Sequence, residues 1–185
     1  MSQVAPHTTV SSRPVSLELD SPELAATYDE TSLRQFNHGK VLISALRPKP
    51  GDRVLDVGCG TGILAICALK LGAREALCID VDPDAVAVTR ENALANDVAE
   101  RVLSDVTPVE QLTETFPLVL ANIQASVLVP LAAAIAARVE ASGLLLLSGI
   151  LLGQESEVCA AYPDFALEAS PVEGEWIALI LKKKA

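Results

Sequence analysis

The run Val54-Leu55-Asp56-Val57-Gly58-Cys59-Gly60-Thr61-Gly62 constrains this chain more than any other stretch. Its first four residues read as a short buried strand. Glycines follow at alternate positions, and the apolar run Ile63 to Leu71 then reads as a helix. A strand that turns through glycines into a helix gathers backbone N–H groups and a positive dipole end at one point. Glycine is required there because a Cβ would block a closely approaching ligand or force a strained φ. The feature is a ligand-binding turn, and it presupposes a sheet with helices around it.

The remaining pattern supplies that sheet. Half of the residues are hydrophobic but only 3% are aromatic, so the core is built from Ala, Val, Ile and Leu. Such residues suit parallel strands covered by helices on both faces. Residues 1–20, rich in Ser, Thr, Val and Pro, read as a flexible extended arm. Residues 21–50 read as a helical lead-in or lid, opened by Ser21-Pro22-Glu23 and closed by Arg47-Pro48-Lys49-Pro50-Gly51-Asp52. Residues 51–185 read as one ligand-binding domain. Its expected strands are Arg53–Val57, Ala76–Val81, a weak third at Arg101–Leu103, Leu118–Ala121 and Leu144–Leu147. Helices are expected between them: Ile63–Leu71 ended by Gly72, Asp82-Pro83 to Asn96, and an Ala-rich helix over Val127–Ala141. In that last helix Pro130 is tolerable only in the first turn. A short helix, Glu155–Tyr162, precedes two β-runs, Phe165–Ser170 and Trp176–Leu181, spaced as a hairpin. The fold class is α/β, a mainly parallel open sheet with a C-terminal antiparallel hairpin.

Charge and cysteine usage narrow the partners. A net charge of −10 repels phosphates, which argues against nucleic acid and against anionic membrane as partners. Cys59, Cys67, Cys78 and Cys159 contain no C-x-x-C pair and read as reduced thiols, which suits a cytoplasmic protein. With His7 and His38 as the only histidines, no metal site is expected. The N-terminus has no signal-peptide pattern, and no apolar run approaches the ~20 residues needed to span a membrane.

In open α/β sheets ligands lie outside the carboxyl ends of the strands. Four polar features fall there: the Gly58–Gly62 loop, Asp80, Asp105 and Asn122. Asp80 follows Gly62 by eighteen residues, a spacing at which a carboxylate can accept hydrogen bonds from both hydroxyls of a ribose. Position 63 is Ile, so the third glycine of the dinucleotide fingerprint is missing, and no phosphate-cradling G-x-x-x-x-G-K motif is present. Asp56 just before the loop would repel a pyrophosphate and hold a cationic amino group. The residues therefore ask for a ligand with a ribose, a positive end and no phosphate, a description that S-adenosyl-L-methionine meets.

Val54 to Gly62 resembles motif I of the class I S-adenosylmethionine-dependent methyltransferases, and the likeness runs through Asp80 to the fourth strand. A Rossmann-like fold is what that resemblance implies. It also implies cofactor contacts from Asp56, Gly58, Cys59, Gly60, Thr61 and Gly62 toward the amino-acid portion. Asp80 and its neighbour Val81 would meet the ribose side, Asp105 the adenine amino group, and Asn122 the transferred methyl. A narrower resemblance covers about Val54 to Ala178: Gly-Ile-Leu-Ala-Ile at 62–66, Ile-Asp-Val-Asp-Pro at 79–83, Ala-Asn-Ile at 121–123 and Leu-Ser-Gly-Ile-Leu at 147–151. These are similar to the bacterial methyltransferases of large-subunit ribosomal proteins, which methylate lysine side chains and an α-amino group. The chain departs from that family in leaving no room for its N-terminal substrate domain, and in carrying Gln35-Phe36-Asn37-His38-Gly39 where the family has a Thr-rich loop.

Asn122 is the expected catalytic residue, orienting a neutral amine through its side-chain oxygen and backbone carbonyl. Tyr28, folding over the cofactor, and His38, a base for a hydroxyl acceptor, are the substrate-side candidates. The reading that follows is a methyltransferase acting on a protein lysine or amino terminus. A small-molecule methyltransferase with the N-terminal helices as lid, and a cofactor-binding scaffold without turnover, stand beside it.

Overall fold

Strand β1, Arg53–Val57, is buried along almost its whole length because it lies in the middle of the sheet, hydrogen-bonded on both sides. The computed structural model of the protein describes residues 42–185. The expected N-terminal arm, most of the expected helical lead-in, Tyr28 and His38 lie outside the described residues. Residues 42–46 are helical, and Leu42, Ile43 and Leu46 are buried in the core.

From β1 the chain alternates: α1 (Ile63–Lys70), β2 (Glu75–Ile79), α2 (Pro83–Ala95), β3 (Val102–Asp105) and β4 (Phe116–Asn122). Then come α3 (Ala125–Leu128), α4 (Ala132–Arg138), β5 (Val139–Leu151), α5 (Glu155–Ala160), β6 (Phe165–Ala169), β7 (Val172–Glu173) and β8 (Trp176–Lys183). The sheet order is β3-β2-β1-β4-β5-β8-β6, with β7 paired to β8. β3, β2, β1, β4 and β5 run parallel, and β8 runs antiparallel to β5, β6 and β7. This is the mainly parallel α/β sheet with an antiparallel C-terminal hairpin that the sequence pattern demands. The order reverses between β1 and β4, so a crevice opens at their carboxyl ends.

Two cores, one on each face, hold the sheet. On the α1 side Val54, Leu118, Leu120, Leu146 and Ala178 pack with Leu64, Ala65 and Ala68. On the other, Leu55, Val57, Val119, Ala121, Leu145 and Leu147 pack with Leu128, Ile135 and Tyr162. Successive strand residues alternate between the cores, as the pleat requires. Asp82 caps α2, its carboxylate accepting from the Asp84 N–H at 2.9 Å with Pro83 in the first turn.

Three elements differ from expectation. The Ala-rich helix is two helices, because Pro130 has no N–H to donate and the chain breaks around it. The fifth strand starts at Val139 rather than Leu144: Val139 pairs with Phe116, and an irregularity between Phe116 and Leu118 absorbs the extra residues. The third strand includes Ser104 and Asp105, whose neighbours in register are Cys78 and Ile79. The Arg90 guanidinium donates to the Ser104 carbonyl and hydroxyl oxygens, so α2 is tied to that strand.

Candidate functional site

The glycine loop is held from below by one carbonyl. The N–H groups of Gly58 and Cys59 both donate to the Ile79 oxygen, at 2.8 and 3.1 Å, which locks the turn after β1 to the end of β2. Gly58 has φ +68°, and a Cβ there would stand 2.4 Å from Ile123 Cγ2. Gly62 has φ +74°, and a Cβ would stand 2.8 Å from Thr89 Cγ2. Each glycine therefore answers to two constraints, a left-handed backbone and a close neighbour. At Gly60 (φ +54°) nothing lies within 4 Å of where a Cβ would be, so this stretch of backbone is open.

Helix α2 braces the loop from behind. The Thr89 hydroxyl, wholly buried, donates to the Gly60 carbonyl at 3.0 Å and meets Cys59 Sγ at 3.3 Å. The Asn92 amide donates to the Thr61 carbonyl at 2.9 Å. The neighbouring Cys59 thiol, with burial behind it, holds the Cys78 thiol on β2 well above its ordinary range.

Asp56 is the one acidic residue among the buried positions of β1, at 1% exposure. Its Oδ2 accepts from the Ala65 N–H at 3.2 Å, in the first turn of α1, where the helix has donors without internal partners. Oδ1 has no partner among the described residues. Burial is the main reason its carboxyl is pushed up to about 7; the Ala65 N–H opposes that rise and the Asp80 charge adds to it. A cation delivered to this point would be a strong counter-charge for Asp56.

Asp80 follows β2 directly. Its Oδ2 accepts from the Gly60 N–H at 2.9 Å and its Oδ1 from the Asp82 N–H at 3.0 Å. A carboxylate offers about four lone-pair directions, so two are spent orienting the group and about two stay free for a ligand. Beside it lies a cleft of about 320 Å³ lined by Val57, Gly58, Ile79, Asp80 and Val81, with Thr107 to Glu110 and Ile123 opposite. Val81 is 84% exposed at the rim.

The expected site residues therefore divide. Gly58, Asp80 and Val81 line the cleft, and the Gly60 N–H is bonded to Asp80. Asp56, Cys59 and Gly62 are buried behind the loop, and Thr61 is exposed on it. Asp105 does not line the cleft: its carboxylate accepts from the Val106 N–H at 2.6 Å, while its carbonyl accepts from the Asp80 N–H at 3.2 Å. Thr107, Pro108, Val109 and Glu110 form that wall instead, and the sequence marks them only as an aperiodic stretch after a strand. Asn122 is exposed at the carboxyl end of β4, and its amide has no partner among the described residues.

The buried Asp56 carboxylate, with one oxygen unpartnered among the described residues, the open backbone at Gly60, the Asp80 carboxylate and the apolar cleft fit a nucleoside with a cationic amino-acid end. Fold and site together define a Rossmann-like protein of the methyltransferase class. The sequence profile described as "Ribosomal protein L11 methyltransferase (PrmA)" matches residues 40–184, and the chain belongs to that family. A ribosomal protein L11 methyltransferase of Geobacter sp. (strain M21) is 48% identical over 130 residues, 70% of this chain and 42% of that protein. That of Citrifermentans bemidjiense is 48% identical over 144 residues, 78% of this chain and 47% of that protein. The chain thus spans less than half the length of these two curated relatives. The crystal structure of a ribosomal protein L11 methylase from Lactobacillus delbrueckii subsp. bulgaricus superposes with a TM-score of 0.74 at 30% identity, covering 80% of this chain and 77% of that one.

Proposed function

We propose that this chain binds S-adenosyl-L-methionine and transfers its methyl group to an amino group of a protein, a lysine side chain or an amino terminus. The observation that carries the reading is the joined unit of Asp56, the Gly58–Gly62 loop and Asp80, with Asn122 at the end of the neighbouring strand. When bound, the cofactor supplies an activated methyl, which passes to an acceptor lone pair while the carbon–sulfur electron pair stays on sulfur. Asp56 Oδ1 faces the cationic amino-acid end. The free lone pairs of Asp80 take the ribose hydroxyls, and the apolar cleft takes the base. The chain's own work is positional: it must hold an acceptor nitrogen in line with the methyl. Asn122 is uncharged and presents an oxygen acceptor, which suits a neutral amine and not a hydroxyl that needs a base. An apolar surround lowers the pKa of a lysine and so helps to deliver that neutral form.

Ribosomal protein L11, the substrate in the relatives' name, is the first acceptor to try. The protein works in the cytoplasm, and its net charge of −10 disfavours nucleic acid and anionic membrane as partners. Among the described residues no helix is long and apolar enough to cross a membrane.

Calorimetry on the full chain tests cofactor binding. S-adenosylmethionine or its demethylated product should bind with Kd of micromolar order, about −8 kcal/mol. Asp80→Ala should weaken it about tenfold or more. Methyl-labelled cofactor with ribosomal protein L11, and separately with a lysate, then identifies the acceptor. Label in protein supports the proposal, and label in small molecules supports a small-molecule acceptor. Binding without label in either supports a cofactor-binding scaffold, and no binding refutes the proposal.

A further inference from the structure

The residue beside Asn122 on the next strand is Ser148. The two are partners in the parallel pairing of β4 and β5. Leu120 and Leu146 belong to the α1-side core, while Ala121 and Leu147 belong to the opposite one. Alternation therefore places Asn122 and Ser148 side by side on the α1 face, at the carboxyl ends of their strands. Ser148 is one of only three polar or charged residues buried among those described, at 5% exposure. Its hydroxyl has no hydrogen-bond partner among them.

The local backbone is built around this pair. β5 follows β8 in register up to Leu147–Leu179 and resumes at Ile150–Ile177, so Ser148 and Gly149 together face Ala178. That is a β-bulge, a device that re-aims side chains and recurs beside active sites. Gly149 has φ +78°, and a Cβ on it would lie 2.9 Å from the Ile123 carbonyl oxygen and 3.2 Å from Asn122 Oδ1. The bulge falls at the residue paired with Asn122, and the missing Cβ of Gly149 leaves the Asn122 oxygen its place.

We propose that Ser148 Oγ and Asn122 Oδ1 form a two-acceptor cradle for the acceptor amine, with Ser148 a substrate-contacting residue. This rests on the reading of the neighbouring cleft as the S-adenosylmethionine site. A neutral primary amine carries two N–H donors and one lone pair. Two acceptors on one face engage both N–H groups and leave the lone pair directed away from them, toward the methyl. Neither group is a base, so the cradle selects nitrogen acceptors that arrive with a free lone pair.

The test needs no identified substrate. Sinefungin carries an amine where S-adenosylmethionine carries its sulfonium methyl, and S-adenosylhomocysteine carries nothing there. Calorimetry on the full chain gives the ratio of the two affinities. In the wild type the ratio should favour sinefungin. Ser148→Ala should lower that preference about tenfold, as expected for one hydrogen bond to a charged group, while S-adenosylhomocysteine affinity stays within about twofold. A ratio unchanged in Ser148→Ala overturns the cradle and leaves the cofactor reading intact. No binding of either ligand by the wild type overturns both. If Ser148→Ala loses both ligands together, Ser148→Cys, similar in size but a poor acceptor, is held to the same ratio.

Discussion

The substitution Asp56→Asn should make this protein more stable at neutral pH and less able to bind its ligand. Asp56 is 1% exposed, and burial pushes its carboxyl up to about 7. An unfolded-chain Asp titrates at about 3.9, so the shift is about three units, or about 4 kcal/mol at 1.36 kcal/mol per unit. The folded pKa is the higher one. The associated stability is therefore fully present below pH ~4 and is lost as pH rises to ~7, where it levels off. An asparagine side chain has no titrating proton and shows no such loss. Its Oδ1 can still accept from the Ala65 N–H, but its NH2 group is buried without a partner, which costs about 1–3 kcal/mol. The net gain at pH 8 is then roughly 1–3 kcal/mol, or several degrees in Tm at about 2–4 °C per kcal/mol. Urea unfolding of both proteins at pH 5, 6, 7 and 8 measures this. The gap between Asp56→Asn and wild type should open by about 2–3 kcal/mol from pH 5 to pH 8. A gap that does not change with pH refutes the argument. The ligand supplies a second readout. A cation beside Asp56 brings its carboxyl back down, so S-adenosylmethionine binding at pH 6 should release a proton, visible in two buffers of different ionisation heat. Asp56→Asn should abolish that release and weaken binding.

Two further outcomes follow from the loop. Gly58→Ala puts a Cβ 2.4 Å from Ile123 Cγ2 at φ +68°. It should cost about 1–3 kcal/mol by urea unfolding and lower cofactor affinity more than tenfold; a neutral effect on both would mean that the loop is not held as described. Thr89→Val keeps the shape but leaves the Gly60 carbonyl without its 3.0 Å donor. Unfolding should show a loss of about 1–3 kcal/mol, and calorimetry a weaker cofactor; unchanged values would show that α2 does not brace the loop.

Much of this was legible in the chain. The strand-turn-helix at Val54–Gly62, Asp82-Pro83 as a helix start, and β–α alternation ending in a hairpin are local patterns, each governed by neighbours a few residues away. They sufficed for the sheet, for the crevice at its carboxyl ends, and for Asp80 and Asn122 as groups standing there. The split of the Ala-rich helix was not legible: the sequence put Pro130 in the first turn of one helix over Val127–Ala141, and neither the break nor the departure of Val139 for the sheet followed from it. Asp105 pointed at the cleft in sequence, yet its side chain closes on the Val106 N–H. The wall is built by Thr107 to Glu110. A turn's direction depends on what packs above it, and no period records that.

By itself, then, the order of residues determined the β–α alternation and the glycine turn, because φ preferences and side-chain alternation are carried locally. Only the tertiary structure decided that Asp56 lies buried against α1, bonded to the Ala65 N–H, that α2 fastens the loop through Thr89, and that Ser148 pairs with Asn122. Those facts depend on register between strands and on burial, and both are set by parts of the chain far apart in sequence.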